Sequence, residues 1–140
     1  MSTTRGVGIG DGSLVVEMWA SEDCVRPGDT VKLRATVTNT SSKTQVIELH
    51  DKPVLDLVID FNKSTRIGMR RWSDGKPLTP DLTRLELTPG ASKSIEMDWV
   101  VDEGKTGPVG INAQFIYSDR VSVVPGILVN VSICSGPLGP

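Results

Sequence analysis

The sequence predicts an all-β domain, a Greek-key sandwich of about seven to nine antiparallel strands. Apolar and polar residues alternate along many short stretches, most regularly in TVKLRATVTN at residues 30–39. Glycine, proline, asparagine and aspartate residues separate these stretches. No stretch of ten or more residues shows the roughly 3.6-residue period of an α-helix. A closed barrel is the alternative, but the uneven strand lengths and two matching Pro-Gly turns favour the sandwich.

The bulk composition excludes several classes of protein. At 140 residues the chain has the length of one ordinary domain. A formal net charge of −2 gives no electrostatic reason to expect nucleic acid, which requires a clustered basic surface. No apolar run reaches roughly 18 residues, so no transmembrane segment is predicted.

The N-terminus lacks the charged-then-apolar pattern of a signal peptide. The chain as written is therefore predicted to be cytoplasmic. An extracytoplasmic location is the alternative if a leader has been removed.

Three segments divide the chain. Residues 1–12 contain four glycines and no periodicity, which predicts a flexible lead-in or a segment that lies on a partner. Residues 13–134 form the sandwich, and residues 135–140 form a tail. The predicted strands are 13–20, 30–39, 44–50, 54–61, 66–72, 85–87, 92–100, 108–117 and 121–133, the last interrupted by Pro125-Gly126.

The parity of the clearest strands predicts one shared core. Alternating residues on one side of a strand face the same way, so the apolar set on each strand is expected to be buried. The residues expected to be nearly fully buried are Leu33, Val37, Leu57, Ile59, Trp99, Ile111 and Phe115.

No catalytic, metal or cofactor site is predicted, so the chain is not expected to be an enzyme. Its one histidine, His50, lies at a predicted strand end, where an exposed or structural role is favoured over that of a catalytic base. Asp56 and Asp60 share a strand face, but four strand residues separate them by roughly 13 Å, too far for one ion.

The two cysteines, Cys24 and Cys134, follow the first and last predicted strands and are expected at the same pole of the sandwich. A cytosolic chain keeps its thiols reduced. Two free thiols are therefore favoured over a disulfide.

Two places are predicted to contact a protein partner. Trp19 has the opposite parity from the apolar residues of its strand, which favours exposure. The crossover at 73–81 is polar and contains two prolines that restrict its conformations. The candidate contact residues are Trp19, Ser73, Asp74, Pro77 and Pro80.

Together, the stretches RPGDTVKLRATVTNTSS and DLVIDFN…MRRWSDG…LTRLELTPGASKSIEMDW resemble the Bacillus intracellular proteinase inhibitor family of immunoglobulin-like domains. The resemblance covers roughly residues 26–117. Arg71 stands where the family commonly has an aromatic or apolar residue, and Ala91 where glutamate commonly follows Pro-Gly. The resemblance implies an immunoglobulin-like sandwich. With the matched Pro-Gly turns, it also implies that strands 30–39 and 92–100 are antiparallel neighbours.

Two function classes remain. The main prediction is a non-catalytic protein-binding domain, an adaptor or structural subunit of a larger assembly, because the glycine-rich head, the Gly/Pro tail and Trp19 suggest contacts. The alternative, implied by the resemblance, is an intracellular proteinase inhibitor acting through an exposed loop. The predicted partner is accordingly an assembly subunit or a protease.

Overall fold

The computed structural model describes residues 3–9, 13–60, 70–101, 107–118, 121–123 and 125–131. Within these residues lie twelve strands and one short helix. They are β1 (Thr3–Ile9), β2 (Leu14–Ala20), β3 (Cys24–Val25), β4 (Thr30–Asn39), β5 (Gln45–Glu48), β6 (Leu55–Asp60), β7 (Arg70–Arg71), α1 (Pro80–Thr83), β8 (Arg84–Leu87), β9 (Ser92–Val100), β10 (Gly107–Ser118), β11 (Val121–Val123) and β12 (Gly126–Val131).

The strands form an all-β sandwich, as the sequence predicts. The first sheet has the order β1-β2-β4-β9, and the second has the order β3-β12-β10-β6-β7, with β11 also paired to β10. A small third sheet joins β5 to β8. The pairs are antiparallel except for the short parallel pair of β3 and β12. The strand number exceeds the expected seven to nine because β3, β7 and β11 are only two or three residues long.

The core lies between the two large sheets. The apolar residues that the alternating pattern assigns to the inner face fill it. All seven residues expected to be buried are at most 1% exposed. Along β4 every second residue is buried while its neighbours face outward. Because a strand turns successive side chains to opposite faces, this pattern fixes which side of the first sheet meets the second.

Strands β4 and β9 are antiparallel neighbours, which confirms the pairing expected from the two Pro-Gly turns. Gly28 and Gly90 both have a positive φ, of 93° and 81°, which glycine adopts without a steric penalty. Hydroxyl pairs on the outer face, Thr36 with Ser94 and Thr38 with Ser92, each have oxygens 2.8 Å apart. These cross-strand contacts support one register.

The N-terminal segment differs from the prediction. The sequence predicts no strand in residues 1–12, but β1 pairs along its length with β2. The strand buries little apolar surface. Val7 pairs with Val16 on the side that faces inward, yet it remains 37% exposed. Backbone pairing rather than burial holds this strand, since the edge of β2 needs partners for its N–H and C=O groups.

Other differences are small. The crossover at 73–83 contains the four-residue helix α1, which is too short to leave a periodic signal. Of the predicted strand 66–72, Arg70 and Arg71 form β7, and residues 61–69 lie outside the described part, as does the tail at 135–140. No helix among the described residues has the length and apolar character needed to cross a membrane.

Cys24 is disulfide-bonded, so the prediction of a free thiol at this position is wrong. The other cysteine of the sequence, Cys134, lies outside the described residues. Cys24 pairs in the strand ladder with Asn130, near the end of β12. The sequence argument rested on the compartment and could not anticipate this short parallel pairing.

Reduction is expected to raise the intact mass of the oxidised protein by about 2 Da, the mass of two hydrogens, because one disulfide becomes two thiols. Intact-mass spectrometry with and without reductant measures this. A Cys24→Ser variant serves as the control and should show no such gain within one chain. An unchanged wild-type mass, or a chain that doubles in mass without reductant, would contradict an internal bond.

Candidate functional site

The connection that the sequence singles out is the 73–81 segment, which follows β7 and includes the first two residues of α1. Ser73 is half-buried, whereas residues 74–81 are exposed. Most of the segment is therefore accessible to a partner, next to the two short elements β7 and α1.

The N-terminal end of the segment is fastened to a buried carboxylate. Asp56 is 2% exposed although its parity on β6 points away from the core. The Ser73 N–H donates to Asp56 Oδ1 at 3.0 Å, and the Ser73 hydroxyl donates to Asp56 Oδ2 at 2.6 Å. Two charge-assisted bonds to one buried group define the position of Ser73.

Arg71 adds a second support beside this carboxylate. Its Nη1 lies 3.8 Å from Asp56 Oδ2 and donates to Gln114 Oε1 at 3.0 Å. Gln114 pairs with Asp56 across the β10–β6 ladder, so both partners of the guanidinium belong to the second sheet. An aromatic side chain at position 71 would lack these bonds, which gives this departure from the family pattern a local structural role.

Short-range hydrogen bonds and one cation–π contact hold the turn after β7. The Arg71 N–H donates to Asp74 Oδ2 at 2.9 Å, and the Asp74 N–H donates to the Arg71 carbonyl at 3.1 Å. The Lys76 N–H donates to the Ser73 carbonyl at 3.0 Å, and its ammonium lies 4.8 Å from the centre of the Trp72 ring. Trp72 in turn packs against the core.

The middle of the segment is a tight turn around Leu78. The Thr79 N–H donates to the Pro77 carbonyl at 2.9 Å, which makes Leu78 the central residue of a three-residue turn. Leu78 is 48% exposed. Pro77 and Pro80, the two prolines singled out from the sequence, are both exposed; Pro77 is the first residue of this turn and Pro80 follows it.

The C-terminal end of the segment is fastened through α1. The Thr79 carbonyl accepts the N–H groups of Leu82 and Thr83 at 2.9 and 3.1 Å, and Pro80 occupies the start of the helix. The Leu82 carbonyl accepts the Val54 N–H at 2.8 Å, and the Thr83 carbonyl accepts the Leu49 N–H at 2.8 Å. The segment is thus held at its N-terminal end by the Asp56 side chain and at its C-terminal end by backbone hydrogen bonds from α1 to Val54 and Leu49.

Trp19 lies elsewhere, on the outer face of the first sheet. It is half-exposed, and the Arg34 guanidinium stands 4.6 Å from its ring centre. A shallow cavity of about 200 Å³ is lined there by Thr4, Glu17, Trp19, Arg34 and Thr36. The structure thus puts Trp19 on the β1-β2-β4-β9 sheet, whereas Ser73 is bound to Asp56 of the other sheet.

A larger cavity lies elsewhere in the described part of the chain. A cavity of about 470 Å³ is lined by Thr3, Arg5, Asp23, Gly110, Asn112, Gly126 and Ile127. His50 is exposed, as the sequence argument favours. No group of three or more His, Cys, Asp or Glu side chains in the described ranges is placed to hold a metal ion.

Sequence reasoning missed Leu78 within the segment and Asp56, the residue of β6 that anchors it. The alternation of its strand predicts that Asp56 faces solvent. Only the fold shows that the turn at Ser73 covers it. Leu78 lies in a largely polar crossover, and the sequence argument assigns it no role. The signal was a large apolar residue between two prolines.

Comparison with known proteins places the chain in a family. The family model described as intracellular proteinase inhibitor matches residues 19–114, more than half of the chain. The chain belongs to the intracellular proteinase inhibitor family. The match includes Trp19 and the whole 73–81 segment, and it confirms the resemblance noted in the sequence. A proteinase inhibitor is a binding protein, so the family description does not imply catalysis.

The chain is similar to solved structures at low sequence identity, and the first of them shares its fold. Spo0M, the sporulation control protein of Bacillus subtilis, matches with a TM-score of 0.57 and 13% identity, over 86% of this chain and 50% of that one. The chain thus spans half the length of that protein. A cycloisomaltooligosaccharide glucanotransferase from Paenibacillus sp. has a TM-score of 0.46 and 17% identity, over 84% of this chain and 14% of the enzyme. No curated protein matches the chain in sequence.

These comparisons favour the inhibitor alternative over the main prediction. The matched family is described by proteinase inhibition, and nothing in the comparisons supports a role as an adaptor or assembly subunit. That role stays a prediction.

Proposed function

We propose that this chain inhibits an intracellular proteinase by presenting the 73–81 segment to it. The observation that carries the proposal is the family match over residues 19–114, which contains the segment. Its structure adds support, because the segment is exposed between two fastened ends.

A loop with fixed ends suits inhibition for an entropic reason. Immobilising a flexible loop on binding costs about 0.5–1.5 kcal/mol for each rotamer-rich side chain, besides the ordering of its backbone. Here the folded framework has already ordered the backbone, through Ser73 at one end and Thr83 at the other. Pro77 and Pro80 restrict φ between those ends.

The proposed location is intracellular, as the family description implies. The disulfide of Cys24 is unusual for that location. Cytosolic proteins seldom keep disulfides, because glutathione and thioredoxin hold thiols reduced. Cys24 is bonded in this structure. The proposed inhibition depends on the 73–81 segment, which is bonded to β6 through Ser73, whereas Cys24 lies on β3.

The proposal is tested by measuring inhibition constants against serine, cysteine, aspartic and metallo-proteinases, including intracellular ones, with peptide substrates. We expect inhibition of at least one enzyme in the panel. Replacing residues 77–80 by Gly-Ser-Gly-Ser should weaken it at least about tenfold, because the rigid turn is lost. The unfolding midpoint of the replaced protein shows whether the sandwich is intact.

Two outcomes would count against different parts of the proposal. If the wild-type protein inhibits no enzyme of any class, the proposed function is wrong. If the replaced protein remains folded and inhibits as well as wild type, the inhibitory surface lies outside the 73–81 segment.

A further inference from the structure

We infer that Leu78 is the specificity-determining residue of the 73–81 segment, and that the target is a proteinase whose primary specificity pocket is apolar. This inference rests on the proposed function and adds to it the class of partner. Three observations carry it: the exposure of Leu78, its position at the centre of the turn, and the contacts that already hold the charged side chains of Lys76 and Asp74.

Leu78 is an exposed apolar side chain in an unusual position. The large hydrophobic residues that are exposed in the described part of the chain are Val7, Val46, Leu78 and Val100. The three valines lie on strands, whereas Leu78 lies in a connection. Single exposed apolar residues are common on protein surfaces, so its position in the turn has to carry the inference.

The backbone presents Leu78 at the centre of a fixed turn. The bond from the Thr79 N–H to the Pro77 carbonyl, 2.9 Å long, closes the chain around it. Thr79 is extended, with φ of −90° and ψ of 166°, before the chain enters α1. An enzyme pocket that receives the side chain would therefore meet a residue whose backbone needs little further ordering.

The two charged residues that precede Leu78 in the segment already make contacts. The Lys76 ammonium lies over the Trp72 ring, and the Asp74 carboxylate accepts the Arg71 N–H. Moving either group into an enzyme pocket would break a contact that holds the turn. Leu78 can enter a pocket without such a loss, and burial of its apolar surface is favourable.

The chemistry of leucine selects the pocket. An apolar slot gains from removing a leucine side chain from water. A pocket built around a carboxylate for basic side chains would leave that charge unpaired against leucine, which costs affinity. Chymotrypsin has the first kind of pocket and trypsin has the second.

The experiment compares inhibition of chymotrypsin and trypsin by four proteins: wild type, Leu78→Ala, Leu78→Lys and Val46→Lys. Val46 is 53% exposed on β5 and serves as the matched control, because it receives the same charge outside the segment. We expect wild type to inhibit chymotrypsin in preference to trypsin. Leu78→Lys should weaken inhibition of chymotrypsin about a hundredfold and strengthen that of trypsin, with Leu78→Ala weakened and Val46→Lys unchanged.

The results separate this inference from the proposed function. Wild-type inhibition of trypsin or of another proteinase with a charged specificity pocket, without inhibition of any proteinase with an apolar one, would overturn the apolar-pocket assignment and leave the inhibitor function standing. Equal inhibition of chymotrypsin by wild type and Leu78→Lys would overturn the role of Leu78. Absence of any inhibition in the wider panel would instead reject the proposed function itself.

Discussion

Replacing Phe115 by alanine should lower the free energy of unfolding by about 3–5 kcal/mol, because it leaves a large cavity in a close-packed core. Phe115 is 0% exposed and lies on β10, where it pairs with Leu55 of β6 and Val123 of β11. Surrounding strands are fixed by their ladders and can close only part of the space. Guanidinium unfolding followed by tryptophan fluorescence gives the midpoint and the free energy.

Val46→Ala is the matched control for this change. Val46 is 53% exposed, so its truncation should alter the free energy of unfolding by less than about 0.5 kcal/mol. A Phe115→Ala protein with the same midpoint as wild type would show that Phe115 is not in the core.

Replacing Asp56 by alanine should also destabilise the fold, by about 2–4 kcal/mol. The carboxylate accepts hydrogen bonds from the Ser73 N–H, the Ser73 hydroxyl and the Leu57 N–H. Alanine would leave these donors without their acceptor in a site that is largely closed to water. Denaturant unfolding measures the loss.

Asp98→Ala provides a carboxylate control on the surface. Its side chain is 63% exposed, and its contact with Lys32 is 3.9 Å long, so removing it should cost less than about 1 kcal/mol. Equal destabilisation by the two alanine variants would contradict the anchoring role of Asp56. We also expect limited proteolysis to cut the 73–81 segment faster in Asp56→Ala than in Asp98→Ala.

The framework of the sandwich could be predicted because parity is a local signal. Leu33, Ile59 and Ile111 alternate with polar neighbours, and one buried face per strand is enough to assign them to the core. The pairing of β4 with β9 followed from two similar turns and the family resemblance. In both cases each signal, an alternating stretch or a Pro-Gly turn, can be read within a few adjacent residues.

The parts that could not be predicted depend on tertiary contacts. Asp56 is polar and has outward parity, and its burial is caused by Ser73, which lies 17 residues further along the chain. The bond of Cys24 accompanies a two-residue parallel pairing that has no periodic signature. Strand β1 is selected by the edge of β2 rather than by its own apolar residues.

The hydroxyl pairs between β4 and β9 join residues that are 54 and 58 positions apart. Such non-local pairing makes folding slow, because a long loop must close before its contacts stabilise anything. The 73–81 segment lies inside that loop. During synthesis at roughly 5–20 residues per second, most of the chain must leave the ribosome before β9 can complete the first sheet. A chain that stops before β9 would leave the backbone N–H and C=O groups along that edge of β4 without a partner strand.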